Sequence, residues 1–249
     1  MILSHTHRFI FIKTRKTGGT SVEIGLSRQA GPADIITPIT PRDELVRLAL
    51  ATPCQNFHPD AVREKTYLDA LRAGEDVRKL VSALQRDQRY FNHMTYRELA
   101  ALNPRELDAY EKISIERHPY EKAVSWANFQ IGFKSYTAGG EIRAGNHEIV
   151  TVIDELLGNG VLRQKIRNWE AYAIGAEIRV NTILQHATLQ SDYAALCQRL
   201  GLPGDNTLPL TKVGERDRSQ SARELLSPRQ REAIQDICAE EFEYFGYER

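Results

Sequence analysis

The chain has 249 residues, in which 33 Lys and Arg balance 33 Asp and Glu, and 41% of the residues are hydrophobic. These values are typical of a folded protein and exclude an intrinsically disordered chain. Because the net charge is zero, we expect no nucleic acid partner and no attraction to an anionic membrane through overall charge. An anionic ligand would therefore need a local concentration of positive charge.

The cysteine pattern and the apolar runs indicate the compartment. Cys54, Cys197 and Cys238 are odd in number and form no Cys-x-x-Cys pair, so neither a disulfide framework nor a zinc site is predicted. The apolar run 9–12 is too short for the hydrophobic region of a signal peptide. No stretch approaches the roughly 20 apolar residues that cross a bilayer. We expect a cytoplasmic protein without a membrane span and without a bound metal.

The first elements in chain order are a strand, a glycine loop and a helix. Residues 8–13 are rich in aromatic and β-branched side chains, which predicts a buried strand. The run breaks at residues 14–19, and a helix is expected to begin at Thr20. Thr20 and Glu23 have the spacing of a capping box, in which the two side chains satisfy free backbone amides.

The remaining chain alternates between helices and strands. Segment 42–86 is strongly charged and helical in pattern, and Thr95 with Glu98 predicts a second capping box. Residues 112–116 predict a strand, and Pro119 suits the first turn of the helix that follows. Further predicted elements are a surface loop at 135–146, a helix at 162–174, a strand at 179–185, a helix at 190–200 closed by Gly201, and a last helix from Ser227 to Phe245 with a capping-box Gln230. This alternation predicts an α/β fold with a mainly parallel central sheet flanked by helices, in a single domain 1–249.

The glycine loop is the first candidate functional element. A loop between a strand and a helix start presents several backbone N–H groups at the positive end of the helix dipole. Gly18 and Gly19 allow close approach to a phosphate, Lys16 adds a full charge, and Thr20 and Ser21 add hydroxyl donors. It is not a Walker A loop, whose lysine follows the second glycine. A plain strand-to-helix turn is the alternative.

Arg117 and Ser125 form the second candidate element. Arg117 follows the strand 112–116, and Ser125 lies about two turns into the next helix. A guanidinium suits bidentate contact with a terminal phosphate, and the hydroxyl could supply a further donor. Taken alone, the alternative is a solvated arginine and a serine on the helix surface.

These two elements together resemble a known family. Segment 16–21, Lys-Thr-Gly-Gly-Thr-Ser, is similar to the 5′-phosphosulfate loop of sulfotransferases that use 3′-phosphoadenosine-5′-phosphosulfate (PAPS). Segment 117–125 is similar to their 3′-phosphate motif, an Arg followed by a Ser eight positions later. Segments 183–202 and 236–247 resemble the later strand and helices of the carbohydrate-type branch, also described as sulfotransferase family 2-like.

The resemblance implies a P-loop-like three-layer fold, a donor and a set of donor-binding residues. The donor would be PAPS, the product 3′,5′-ADP, and the acceptor a hydroxyl of a carbohydrate, glycolipid or small molecule. Two departures are Arg15, where the family usually has Pro, and His118, where it usually has Asp or Asn. Lys212 is a further candidate for binding the nucleotide, because of its charge and its position in a late loop. The expected donor-binding residues are Arg15, Lys16, Thr17, Gly18, Gly19, Thr20, Ser21, Arg117, Ser125 and Lys212.

His93 is the expected catalytic base, with Lys16 as the second catalytic residue. A base must take the proton from the acceptor hydroxyl, and an imidazole with a pKa near 6.5 suits this step. The segment 92–99 resembles the one in which carbohydrate-type sulfotransferases carry their catalytic His. His58 is the rival base. His5 and His7 lack a third ligand and give little support for a metal site.

Three points stay open at this stage. An ATP-dependent P-loop-type phosphotransferase is one alternative, although the Walker A order and a clear Mg²⁺-binding Asp are missing. A non-catalytic nucleotide-binding module is another, if His93 is structural. The acceptor would contact the helical insertion 42–86, the loop 135–146, or both. The basic residues of the insertion either meet an acidic sugar or form a solvated helix face: Arg63, Lys65, Arg72, Arg78 and Lys79.

Overall fold

The computed structural model describes residues 1–137, 145–204, 206–209 and 220–249, and of residues 133–137 the backbone alone. Its strands are β1 (Ile2–Ser4), β2 (Phe9–Phe11), β3 (Ile35–Ile36), β4 (Glu111–Glu116), β5 (Ala173–Ile174), β6 (Glu177–Ile178) and β7 (Thr182–Gln185). Its helices are α1 (Gly19–Ser27), α2 (Pro41–Leu50), α3 (Ala61–Arg72), α4 (Arg78–Asp87), α5 (Tyr96–Leu102), α6 (Pro104–Ala109), α7 (Pro119–Thr137), α8 (Asn146–Gly158), α9 (Val161–Ile166), α10 (Trp169–Tyr172), α11 (Leu189–Arg199), α12 (Ala222–Leu225), α13 (Pro228–Ile237) and α14 (Ala239–Phe245).

The described chain forms two compact units. The first unit contains residues 1–14, 18–115 and the part of the chain from Ala171 to Thr211. The second contains residues 15–17, 116–170 and the part from Lys212 to Arg249. The predicted helical segment 42–86 corresponds to α2, α3 and α4 in the first unit.

The central sheet of the first unit has five strands in the order β3-β1-β2-β4-β7. Strand β1 pairs antiparallel with both β2 and β3, whereas β2 pairs parallel with β4. The sheet is therefore mixed, and the prediction of a mainly parallel sheet needs correction. The short connection between β1 and β2 allows only a hairpin, because a parallel pair needs a long crossover.

Helices cover both faces of this sheet because alternate strand residues point to opposite sides. Phe9 and Phe11 belong to a hydrophobic cluster with residues of α1 and α11, such as Val22. Ile10 and Ile12 belong to a second cluster, formed with residues of α3 to α6. Strands buried on both faces explain why the run 9–12 is continuously apolar rather than alternating.

The second unit has its own core of helices. Helix α7 contributes Tyr120, Ala123, Val124 and Ala127, whose spacing places them on one face. They pack with residues of α8, α9, α12, α13 and α14. The predicted helix that begins at Pro119 is confirmed.

Several predicted helix ends are confirmed and others are wrong. The capping boxes at Thr95 and Ser227 are present, and Gly201 closes its helix with φ +63°. The predicted helix at 162–174 is divided into α9 and α10, and the last helix breaks at Cys238. Of the predicted loop 135–146, residues 135–137 end α7, Asn146 begins α8, and 138–144 lie outside the described residues.

The predicted capping box of α1 is wrong. The helix begins at Gly19, and its N-cap is Gly18, which makes no side-chain capping hydrogen bond. Glu23 is fully buried and binds cations instead. The Thr-x-x-Glu spacing therefore arises here without the capping interaction.

Among the helices of the described ranges, none combines the length and the apolar composition that would span a bilayer.

Candidate functional site

The glycine loop between β2 and α1 has an unusual backbone. Lys16 has φ +62° and Gly18 has φ +82°, both in the left-handed region. For a residue with a side chain this conformation costs about 1–2 kcal/mol. Strain of this kind is retained where the surrounding structure holds it, and it is concentrated at functional sites.

The end of the loop at Gly18 and Gly19 has little room for side chains. A Cβ atom on Gly18 would lie 2.9 Å from Leu189 Cδ2 and 3.4 Å from the ring of His186. A Cβ on Gly19 would lie 3.0 Å from Lys13 Cγ. The Ser21 amide donates to the Gly18 carbonyl at 3.1 Å, so this backbone N–H is engaged within the first turn of α1.

A buried ion pair joins the two ends of this loop. Lys13 Nζ lies 2.6 Å from Glu23 Oε2, and the amino group of Met1 lies 2.6 Å from Glu23 Oε1. Burial alone would raise the pKa of Glu23, but Lys13, the Met1 amino group and Arg47 together lower it to about 2. Glu23 thus remains ionised and holds the first turns of α1 against the strand side of the loop.

Asn168 holds the middle of the loop within the second unit. The Arg15 amide donates to Asn168 Oδ1 at 3.0 Å, and Asn168 Nδ2 donates to the Arg15 carbonyl at 3.0 Å. Asn168 Nδ2 also donates to Glu116 Oε1 at 3.4 Å. One side chain therefore satisfies both backbone groups of the residue that precedes Lys16. Sequence reasoning missed Asn168 because its role depends on a contact with a residue distant in the chain.

A buried charge network supports Asn168. Lys122 Nζ lies 2.8 Å from Glu116 Oε1 and 3.5 Å from Glu241 Oε1, and all three side chains are fully buried. The Asn168 amide donates to Glu241 Oε1 at 2.9 Å. Burial alone would lower the pKa of Lys122, but the two carboxylates raise it. The lysine therefore remains charged and neutralises part of the buried negative charge.

The two predicted phosphate-binding elements contact each other. Arg117 Nη1 donates to the Lys16 carbonyl at 3.3 Å, across 101 positions of sequence. Arg117 Nη2 also lies 2.8 Å from Glu121 Oε2, and the side chain is 18% exposed. Ser125 lies further along α7 in the same unit and is partly exposed.

His118 caps the start of α7 with its imidazole ring. The amide of Tyr120 donates to His118 Nδ1 at 3.2 Å, near the start of α7. The other ring nitrogen, Nε2, donates to the Glu248 carbonyl at 2.9 Å. Burial lowers the pKa of His118 below 6.5, which favours this neutral form.

The His93 ring is held by a hydrogen bond to the backbone of Lys13. Its Nδ1 lies 2.9 Å from the Lys13 carbonyl, and because a carbonyl oxygen can only accept, Nδ1 donates. In the neutral ring the lone pair is then on Nε2, the nitrogen that would take a proton. His93 also has φ +63°, so both predicted catalytic residues, Lys16 and His93, adopt the left-handed conformation.

In His58 the roles of the two ring nitrogens are the reverse of those in His93. His58 Nδ1 accepts the amide proton of Asp60 at 2.9 Å, so the neutral ring carries its proton on Nε2. That nitrogen is buried, and the residue is 8% exposed. The one basic nitrogen of His58 is therefore already in use, which argues against the rival base.

The other predicted residues have mixed outcomes. Thr17 is fully buried, while Arg15, Thr20 and Ser21 are partly exposed. Lys212 lies outside the described residues. In the helical segment 42–86, four basic side chains have carboxylate partners, which are Arg63 with Asp60 and Asp87, Lys65 and Arg72 with Asp69, and Arg78 with Asp76.

Searches against known protein families, curated protein sequences and solved structures found no match.

Proposed function

We propose that this protein is a sulfotransferase that transfers the sulfuryl group of PAPS to a hydroxyl acceptor. The observation that carries the proposal is the hydrogen bond between Arg117 and the Lys16 carbonyl. The two residues belong to separate motifs, each assigned to a different phosphate of the same donor. Their direct contact supports the interpretation that both motifs serve one ligand.

The shape and charge of the loop fit a phosphosulfate donor. Gly18 is exposed and has no side chain, so a large anionic group can approach the backbone at the start of α1. Lys16 supplies a charge, and Arg117 can exchange Glu121 for a phosphate in bidentate contact. The P-loop-like fold that the resemblance implies is part of this proposal.

Each residue has a proposed role. Arg117 and Ser125 hold the 3′-phosphate, and segment 15–21 holds the 5′-phosphosulfate. The donor supplies a sulfuryl group, whose bond to the 5′-phosphate breaks as a bond to the acceptor oxygen forms. His93 accepts the acceptor's proton at Nε2, and Lys16 stabilises the negative charge that develops on the leaving phosphate.

The first test measures binding of 3′,5′-ADP by calorimetry, with ATP as the competing ligand. We expect 3′,5′-ADP to bind and ATP to compete poorly. The variant Lys16→Asn removes the ammonium group, and Asn tolerates the left-handed backbone of this position. It should weaken binding, whereas Lys79→Asn, on an exposed helix, should not. Tighter binding of ATP than of 3′,5′-ADP would favour the phosphotransferase instead.

The second test measures transfer of sulfur-35 from labelled PAPS to a panel of hydroxyl acceptors. His93→Asn keeps a residue suited to φ +63° but removes the base. It should lower the transfer rate about 10²–10⁴-fold while 3′,5′-ADP binding is unchanged. The exposed His147 provides a matched control, His147→Asn. Wild-type transfer in His93→Asn would remove His93 as the base, and binding without any transfer would indicate a non-catalytic module.

A further inference from the structure

Helix α2 has its charged side chains inside and its apolar side chains outside. The residues that it buries are Asp43, Glu44 and Arg47. Glu44 Oε1 accepts from Arg47 Nε at 3.0 Å and from the Cys54 amide at 2.9 Å. Arg47 Nη2 also donates to the Thr37 carbonyl at 2.9 Å. Ion pairs and hydrogen bonds therefore hold the inner face of this helix, whereas the inner face of a surface helix is ordinarily apolar.

The outer face of α2 carries four exposed apolar residues, which we call the α2 stripe. Leu45 and Leu50 are 48% and 49% exposed, and Val46 and Ala49 are exposed between them. Their i, i+4 spacing places them on one face of the helix. The other large apolar side chains exposed in the described ranges each lie on a different element: Val62, Leu102, Phe129, Ile174 and Tyr244. Single exposed apolar residues are ordinary, but a contiguous group indicates a contact with another molecule.

We propose that the α2 stripe is the interface through which two copies of this chain associate, with their α2 helices antiparallel. In a symmetric contact each residue meets a different residue of the other copy. A two-fold axis between positions 47 and 48 brings Val46 against Leu50 of the second copy. The same axis brings Leu45 against Ala49 of the second copy. The small side chain of Ala49 lets the two helices approach to the usual distance of about 8–10 Å.

The charges around the stripe also suit a second copy. The stripe itself contains no charged residue, so its burial leaves no charge without a partner. Arg42 is exposed at the amino end of α2 and has no carboxylate partner among the described residues. In the antiparallel pair it lies at the carboxyl end of the other α2, where free carbonyl groups carry partial negative charge. Because the net charge is zero, two copies do not repel each other through overall charge.

The area of the stripe fits the core of a reversible dimer interface. A standard interface buries about 800 Å² on each partner and has an apolar core with a polar rim. The exposed fractions of the four side chains correspond to an area on the order of 300 Å² in each copy. This is enough for such a core but not for a whole interface. We therefore expect a dissociation constant in the micromolar range rather than a permanent dimer.

Sedimentation equilibrium of the full chain, from about 1 to 100 μM, tests the proposal. We expect the mass to rise with concentration from 28.3 kDa toward twice that value. Val46→Glu and Leu50→Lys should each raise the dissociation constant at least about tenfold, because each variant buries two unpaired charges in the contact. An equimolar mixture of the two variants should associate again, since the introduced carboxylate faces the introduced ammonium group across the antiparallel pair. Leu102→Gln changes an exposed apolar residue of α5 and should match the wild type.

The outcomes do not depend on the proposed reaction, because no residue of the stripe belongs to the proposed donor-binding set. Circular dichroism should show that the variants are folded, since both positions are exposed. A wild type that remains at 28.3 kDa throughout would overturn the proposal. Flotation of that monomer with phosphatidylglycerol vesicles, lost in Val46→Glu, would then assign the stripe to a lipid surface. Unchanged association of both single variants, or no association of their mixture, would also overturn the antiparallel contact.

Discussion

Replacing Asn168 with Ala tests whether the middle of the glycine loop is held from outside the loop. Asn168 is 2% exposed, and its side chain satisfies both the amide and the carbonyl of Arg15. Each hydrogen bond contributes about 1 kcal/mol, and a buried backbone group left without a partner costs about 1–3 kcal/mol. We expect Asn168→Ala to lower the free energy of unfolding by about 2–4 kcal/mol. Because domains of this kind have about 5–15 kcal/mol of stability, the variant should still fold.

Urea unfolding and 3′,5′-ADP calorimetry together measure the effect. If Asn168 positions Lys16, the folded variant should bind 3′,5′-ADP more weakly at a temperature where it is fully folded. Asn168→Asp is the matched control, because it keeps the acceptor for the Arg15 amide but adds a buried carboxylate beside Glu116. It should be less stable than Asn168→Ala. Wild-type stability and wild-type affinity in Asn168→Ala would refute this reasoning.

Three further variants test separate features. Gly18→Ala should destabilise the protein by about 1–3 kcal/mol, because Gly18 has φ +82° and an added Cβ would contact Leu189. The control in urea unfolding is Gly160→Ala, where φ is +71° and the space around the residue is open. A loss of stability in Gly18→Ala no larger than in Gly160→Ala would show that the contact with Leu189 contributes nothing. His118→Asn should keep the cap of α7 and lose a pH dependence: the folded-state pKa of His118 is lowered, so its stabilisation is present above pH 6.5 and is lost as the pH falls through the lowered value. Thermal melts from pH 7.5 to 5 should therefore decline more steeply for the wild type, and parallel curves would contradict this. Thr95→Ala should cost about 1 kcal/mol by removing the cap of α5, measured by urea unfolding, and an unchanged midpoint would argue against the capping box.

The local elements of this fold could be predicted from the sequence because their causes are local. The apolar run before the glycines, the cap at Thr95 and the Pro at the start of α7 each act over a few residues. The mixed sheet could not be predicted, because β1 and β3 have three and two residues, too few to show a period. Their pairing is decided by contacts with strands elsewhere in the chain.

The residues of the candidate site also divide into those that local sequence identifies and those that depend on contacts distant in the chain. The loop residues and Arg117 were identified from motif spacing, and their contact is seen in the structure. Motif spacing cannot identify the role of Asn168 or the tautomers of His93 and His58. These depend on hydrogen bonds to backbone groups that only the folded chain brings near. The error at Glu23 has a physical origin as well. A Thr-x-x-Glu spacing predicts a cap only when the carboxylate can reach the helix end, and here a lysine on the strand side binds it.

The ion pair between Lys13 and Glu23 has a consequence for the thermodynamics of the proposed anion binding. It closes the segment between these residues into a ring, in the manner of a cross-link, so the loop has few conformations to lose when an anion arrives. Since the pKa of Glu23 is about 2, this closure holds throughout the range of pH in which the protein would work. Binding of an anion here should therefore carry a small entropic penalty, because the frame that receives it is assembled when the chain folds.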